Sequence, residues 1–170
     1  MKRVGASLDT SFWKHVWMLH LAPYLFDYFE IFYCTEVYRE IHSPYPAFPT
    51  VVHPRIKLFD VLAEANLLRR QDPTSYDATL YGPGEAQALA LAAERGYVLL
   101  IDDYRSLRYA QKQGVPIISS PDFVVKLCVD GVLTCRMGRD RIERSRAEVS
   151  PLLLENALAR IEVIEMKRGW

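Results

Sequence analysis

The chain has 170 residues, with 21 Lys and Arg against 21 Asp and Glu, and half of its residues are apolar. That balance excludes collagen, coiled coil and disorder as descriptions of the whole, and a chain of this length can bury roughly 70% of its unfolded surface without covalent staples. A net charge of zero excludes a protein that coats nucleic acid non-specifically, so a polyanion has to be gripped by a local basic patch or through metal ions. The three cysteines, Cys34, Cys128 and Cys135, form no CxxC pair. This argues against a disulfide framework or zinc ribbon and leads us to expect a reducing cytoplasm. No signal peptide is expected, because the chain reaches Asp9 before any long apolar run develops. No uncharged apolar run approaches the roughly 18 residues of a membrane span.

In chain order, residues 4–8 are apolar and small and read as a buried first strand, ended by Asp9, Thr10 and Ser11. Residues 12–29 are rich in aromatics and predict a helix broken near Pro23. Residues 30–33 predict a second strand, and Thr35 can cap a short helix starting at Glu36. Pro44, Pro46, Pro49 and Pro54 mark a loop. Residues 55–68 show helical spacing at Ile56, Phe59, Leu62 and Ala63, and the polar stretch 71–81 predicts irregular chain. Gly82, Pro83 and Gly84 lead into an Ala- and Leu-rich helix over 85–95, stopped by Gly96. The continuous apolar run 97–101 predicts a strand covered on both faces. Asp102 and Asp103 open a helix to Gln113, residues 115–118 form the next strand, and Ser120 and Pro121 start a helix to about Val129. This alternation is that of a parallel sheet with right-handed crossovers. Residues 136–146 predict a charged helix, and Ser150 and Pro151 start a last one to about Ile161. We therefore expect a main domain over 1–135 and a helical extension over 136–170 packed on it.

The acids carry the functional reading. Asp9 ends the first strand, and Asp102 and Asp103 end the strand over 97–101. Glu36 and Glu40 share one face of the short helix, and Glu85 lies in the first turn of its helix. In open parallel sheets, ligands bind beyond the carboxyl ends of the strands, where such acids would converge. Carboxylates without histidine or cysteine partners suit hard cations such as magnesium or manganese, whose chemistry is phosphoryl transfer and hydrolysis. Each acid also has a plain structural reading. Asp9 and Asp103 can be helix caps, Glu85 a dipole partner, and Glu36 and Glu40 a solvated face.

Four stretches resemble PIN domains. VGASLDTS (4–11) is similar to their opening strand with its hydrophobic-Asp-Thr-Ser motif, and TEVYREI (35–41) to their early glutamate-bearing helix. GEAQALALA (84–92) resembles the Gly-Glu-x-x-Ala helix of one subgroup. LLIDD (99–103), with Arg108, Ala110 and Gly114, resembles that subgroup's next strand and helix. The resemblance covers about residues 4–133. It implies an α/β, three-layer α/β/α fold with a mostly parallel central sheet. It also implies a magnesium- or manganese-dependent ribonuclease, of which many relatives are VapC-type toxins held by a cognate antitoxin and often homodimeric. By position it implies Asp9, Glu40 (with Glu36 the alternate), Glu85, and Asp102 or Asp103 as catalytic metal ligands, with Ser11 orienting them.

The chain departs from the subgroup where Ser119, Ser120, Pro121 and Asp122 replace a Gly-Thr pair, so Asp122 is either a fifth acid or a helix N-terminal residue. The same departure leaves open a catalytically inactive module of this fold that binds protein or RNA without cutting it. A phosphatase using Asp9 as nucleophile is a third reading, weakened because no second aspartate follows two residues on. His15, His20, His42 and His53 lack metal-ligand spacing and read as structural or surface residues. Arg105 and Arg108, one helical step apart just beyond Asp103, are the expected RNA-phosphate contacts. The cluster Arg136, Arg139, Arg141, Arg144 and Arg146 is either a solvated helix face or a phosphate-steering patch.

Overall fold

The computed structural model describes residues 3–43, 52–77, 79 and 82–168. Five strands, β1 (Val4–Leu8), β2 (Phe29–Tyr33), β3 (Leu68–Arg70), β4 (Val98–Leu100) and β5 (Ile117–Ile118), form one all-parallel sheet in the order β3-β2-β1-β4-β5. Nine helices among the described residues complete a three-layer α/β/α fold. They are α1 (Thr10–Met18), α2 (Ala22–Tyr28), α3 (Thr35–Ile41), α4 (Pro54–Glu64), α5 (Pro83–Arg95), α6 (Tyr104–Lys112), α7 (Ser120–Val129), α8 (Cys135–Arg144) and α9 (Pro151–Arg168).

Strand β1 is central, and its composition follows from that. Ala6, Ser7 and Leu8 are all fully buried, and the one polar side chain among them, Ser7, donates its hydroxyl to the Ala88 carbonyl at 2.8 Å. Gly5 lies under the ring of Tyr97, where an added Cβ would stand 2.5 Å from a ring carbon, and Tyr97 stacks in turn on Phe32 at 4.8 Å. The aromatic stretch after β1 is mainly core. Phe12 and Trp13 are buried, and Trp13 meets Phe59 of α4 edge-on at 5.3 Å. Each such side chain contributes about 1.5–3 kcal/mol by leaving water.

Several boundaries differ from the sequence expectation; the strand expected over 115–118, for one, is only Ile117–Ile118. The helix expected over 55–68 stops at Glu64. Asn66 takes a left-handed φ of 58°, and Leu68–Arg70 pair with Ile31–Tyr33 as an edge strand. An edge strand needs few apolar residues, and here only Leu68 is buried. Thr35 does not cap α3. Its amide and hydroxyl donate to the Asp72 carboxylate at 2.7 and 2.6 Å, and Cys34 holds the cap position. Helix α9 runs on to Arg168, past the expected end near Ile161. The proline loop lies outside the described residues except for Pro54, which opens α4.

The C-terminal helices share the main core. Ile142, Leu154, Ala157 and Ile161 join one apolar cluster with Ala6, Leu8 and Leu99, and α9 rests on α7 and α8. None of the described helices is long and apolar enough to cross a membrane.

Candidate active site

The strand order creates the site. From β1 the chain moves to β2 and β3 on one side, and later to β4 and β5 on the other. The reversal falls between β1 and β4, and ligands of open α/β sheets bind beyond the carboxyl ends of strands at such a switch point. Leu8 pairs with Leu100, and the Asp9 amide extends the ladder to the Leu100 carbonyl at 3.0 Å. A cavity of about 350 Å³ lies there, and Asp9, Glu40, Glu85 and Asp103 all line it.

Each acid arrives from its own element, held by a short-range donor. Asp9 is the N-cap of α1, and its Oδ2 accepts the Ser11 amide at 2.8 Å and the Ser11 hydroxyl at 2.5 Å. Burial pushes its carboxyl up to about 6. The bonds from Ser11 oppose that rise and the charge of Glu40 adds to it. Glu40, from α3, accepts the Thr10 hydroxyl at 2.6 Å and the Gly84 amide at 2.9 Å, which seats it at the N-terminal turn of α5 where the helix dipole favours an anion. An added Cβ at Gly84 would clash with that carboxylate, so a side chain there would displace Glu40 from its seat.

Glu85 accepts the Ser106 hydroxyl, and that hydroxyl also lies 3.3 Å from Asp103 Oδ1, so it links the two acids. Burial raises the Glu85 carboxyl to about 7, with the charges of Asp9, Asp103 and Glu40 adding and the Ser106 bond opposing. Asp103 caps α6 through the amides of Arg105 and Ser106 at 2.8 and 3.1 Å. The capping readings of Asp9 and Asp103 therefore hold together with their place on the cavity.

The alternates sit elsewhere. Asp102 is buried and does not line the cavity. Its carboxylate meets His15 Nδ1 at 2.5 Å and accepts the Ser120 amide at 2.6 Å, tying α1 to the start of α7. Its own amide donates to the Ser11 hydroxyl at 3.1 Å, so Asp102 supports the residue that holds Asp9. Glu36 pairs with Arg39 outside the cavity. Asp122 forms a capping box with Ser119 and pairs with Arg160. Arg105 and Arg108 are exposed and do not line the acidic cavity; Arg108 borders a separate groove with Asp122 and Arg160.

The C-terminal basic cluster is largely engaged in structure. Arg139 pairs with Glu162 and Glu165, Arg146 pairs with Glu143, and Arg141 donates to the carbonyls of Leu19 and His20. His42 bonds Asp60 and the Tyr38 carbonyl, and His53 caps α4. The cations that do line the cavity, Lys14 and Arg55, were missed in the sequence. Lys14 stands four residues after Thr10 on one helix and so had a periodicity signal. Arg55 reaches the cavity only because α4 folds back over α1, which no local pattern announces.

The donor set is all oxygen, as a hard divalent cation requires. Among the described residues, no three His, Cys, Asp or Glu side chains stand close enough together to hold an ion as arranged. The hydrogen bonds above hold each carboxylate where it stands: Ser11 holds Asp9, Thr10 and Gly84 hold Glu40, and Ser106 bridges Glu85 and Asp103. The bonds from Ser11 use one oxygen of Asp9 and the bond from Ser106 one oxygen of Glu85, so each keeps a second oxygen outside these bonds. A scan against protein-family models gives no match for this chain, and a search of curated proteins gives none either.

Proposed function

We propose that this chain is a magnesium- or manganese-dependent endoribonuclease of the PIN type, with Asp9, Glu40, Glu85 and Asp103 as the residues that hold the metal. One observation carries the reading. Four carboxylates from four separate elements line one cavity at the switch point of the sheet, and none of the four has a cationic partner among the described residues. Buried acids left without counter-charge are costly in a metal-free fold, and the carboxyls of Asp9 and Glu85, raised first by burial and further by neighbouring carboxylates, express that cost. A bound divalent cation would relieve it, lower the pKa of a water, and stabilise the leaving oxygen of a phosphodiester.

The chain's own residues do the positioning. Ser11, backed by the Asp102 amide and the His15–Asp102 pair, fixes Asp9. Thr10 and Gly84 fix Glu40, and Ser106 links Glu85 to Asp103. In the hydrolysis the water oxygen bonds to phosphorus, the ester P–O bond breaks, and the proton ends on the departing hydroxyl.

A toxin role, a cognate antitoxin and a homodimer rest on the motif resemblance alone. The cytoplasm as the site of action is supported by three free cysteines. One observation favours a second reading, a catalytically inactive module that binds protein or RNA: the carboxylates do not converge as arranged. The deciding experiment is incubation of the purified protein with a pool of structured and single-stranded RNAs in manganese, magnesium or EDTA, beside Asp103→Asn. Cleavage that needs metal and is lost in the variant is the expected result. Binding without cleavage in either metal would favour the inactive module.

A further inference from the structure

We propose that Arg55 is a positioning residue that grips a backbone phosphate of the nucleic acid lying across the acidic cavity. The inference rests on the nuclease reading for the identity of the ligand. Arg55 lines the same cavity as Asp9, Glu40, Glu85 and Asp103, and its guanidinium makes no hydrogen bond or ion pair with any described residue. The neighbouring cavity lysine, Lys14, is by contrast engaged by Glu148.

The backbone of Arg55 is pinned on both sides. Its amide donates to His53 Nδ1 at 3.2 Å, and its carbonyl accepts the Trp13 indole N–H at 3.3 Å. A residue whose main chain is held at both its amide and its carbonyl while its charged end pairs with no described residue is prepared to meet something else. Its place on α4 makes the same point. Arg55 follows Pro54 in the first turn, where the helix dipole favours an acid and disfavours a cation. The helix dipole therefore gives no reason for a guanidinium here, and the charge that Arg55 does favour is that of Glu148.

Neutralising the acids is the obvious competing role. The charges that act most on Asp9 and Glu85 are other carboxylates, whereas the charge of Arg55 is felt at Glu148. An arginine that lines the acids' cavity without pairing to them suits a ligand that brings both signs together: a phosphate held by Arg55 and, through a cation, by the carboxylates. The planar fork matches phosphate oxygens in a way an ammonium does not.

The test is binding of a short fluorescent single-stranded RNA in calcium, over a series of salt concentrations, by wild type, Arg55→Gln and Arg55→Lys, with melting temperatures taken in parallel. We expect Arg55→Gln to weaken binding about tenfold and Arg55→Lys to recover part of it. The slope of log K against log salt should fall by about 0.7 in Arg55→Gln, the signature of one lost phosphate contact on a single strand. The two pinning bonds are made by the main chain, so the melting temperature should hold.

Wild-type binding that Arg55→Gln leaves unchanged would overturn the inference, and so would the absence of any RNA binding by wild type. Tighter manganese binding by Arg55→Gln with RNA affinity unmoved would assign Arg55 to neutralising the acids and overturn it equally. The nuclease reading fails separately. RNA bound through Arg55 but not cut in manganese or magnesium would end that reading and leave this one standing.

Discussion

Two groups of acids in this molecule have opposite electrostatic environments. On the C-terminal helices and beside them, acids are matched to bases: Asp122 with Arg160, Glu143 with Arg146, Glu165 with Arg139, and Asp130 with Lys126. Hydrogen bonds from Lys126 and Tyr28 hold the Asp130 carboxyl below its ordinary range, and the bond from Arg146 does the same for Glu143. At the carboxyl ends of β1 and β4, Asp9, Glu40, Glu85 and Asp103 take their hydrogen bonds from hydroxyls and amides and form no ion pair among the described residues, and burial pushes Asp9 to about 6 and Glu85 to about 7. The chain as a whole is neutral, so the second arrangement is not a shortage of bases. It is a placement that leaves these four acids without an ion pair among the described residues.

The largest effect should come from removing charge at the second group. Asp9→Asn should lower metal-dependent RNA cleavage by more than about 100-fold, beyond the loss typical of an outer supporting residue. The same change should raise metal-free stability at pH 8 by about 2 kcal/mol, since a buried charge is removed while the bond from the Ser11 amide can persist. Denaturant titration in EDTA reads the stability, and a variant that is less stable there would break the contrast.

The adjacent aspartates sharpen it next. Asp102→Ala should cost about 3 kcal/mol or more, because it orphans buried His15 and the Ser120 amide. Asp103→Asn should leave the melting temperature nearly unchanged, as asparagine caps a helix as well as aspartate, while cleavage is lost. Paired melting and cleavage assays on the two variants check this division of roles.

The pH dependence follows from the same carboxyls. Both fold-state values lie above their ordinary ones of 3.8 and 4.5, so the folded chain keeps protons that the unfolded chain has released. Their contribution to metal-free stability is fully present below about pH 4 and is lost as pH rises through 6 and 7. In EDTA the protein should melt higher at pH 5.5 than at pH 8, and manganese should raise the melting temperature more at pH 8. Thermal melts at the two pH values decide the point.

The smallest effect should come from the matched acids. Arg160→Ala breaks a solvent-exposed pair and should cost under about 1 kcal/mol, with cleavage unchanged.

The sheet was legible because buried parallel strands leave continuous apolar runs, as at 4–8 and 97–101, and because Gly96 and Gly114 stop helices where the periodicity ends. The edge strand Leu68–Arg70 left no such run, since only one of its residues is buried. Asp9, Glu85 and the pair Asp102 and Asp103 could be named from position relative to strand ends and helix starts, whereas Glu40 was preferred to Glu36 only through the motif resemblance. The choice between Asp102 and Asp103 was not open to a linear reading. Adjacent residues leaving a strand point to opposite sides, and only the return of α1 and α7 decides which side is core. Arg55 was invisible for the same reason: its place depends on α4 folding across α1.

The most direct test of the central claim is calorimetric titration of metal-free protein with manganese at pH 7.5, for wild type, Asp9→Asn and Arg160→Ala. The account predicts binding by wild type and Arg160→Ala, and its loss or severe weakening in Asp9→Asn. Equal binding in all three, or no binding by the wild type, would contradict it.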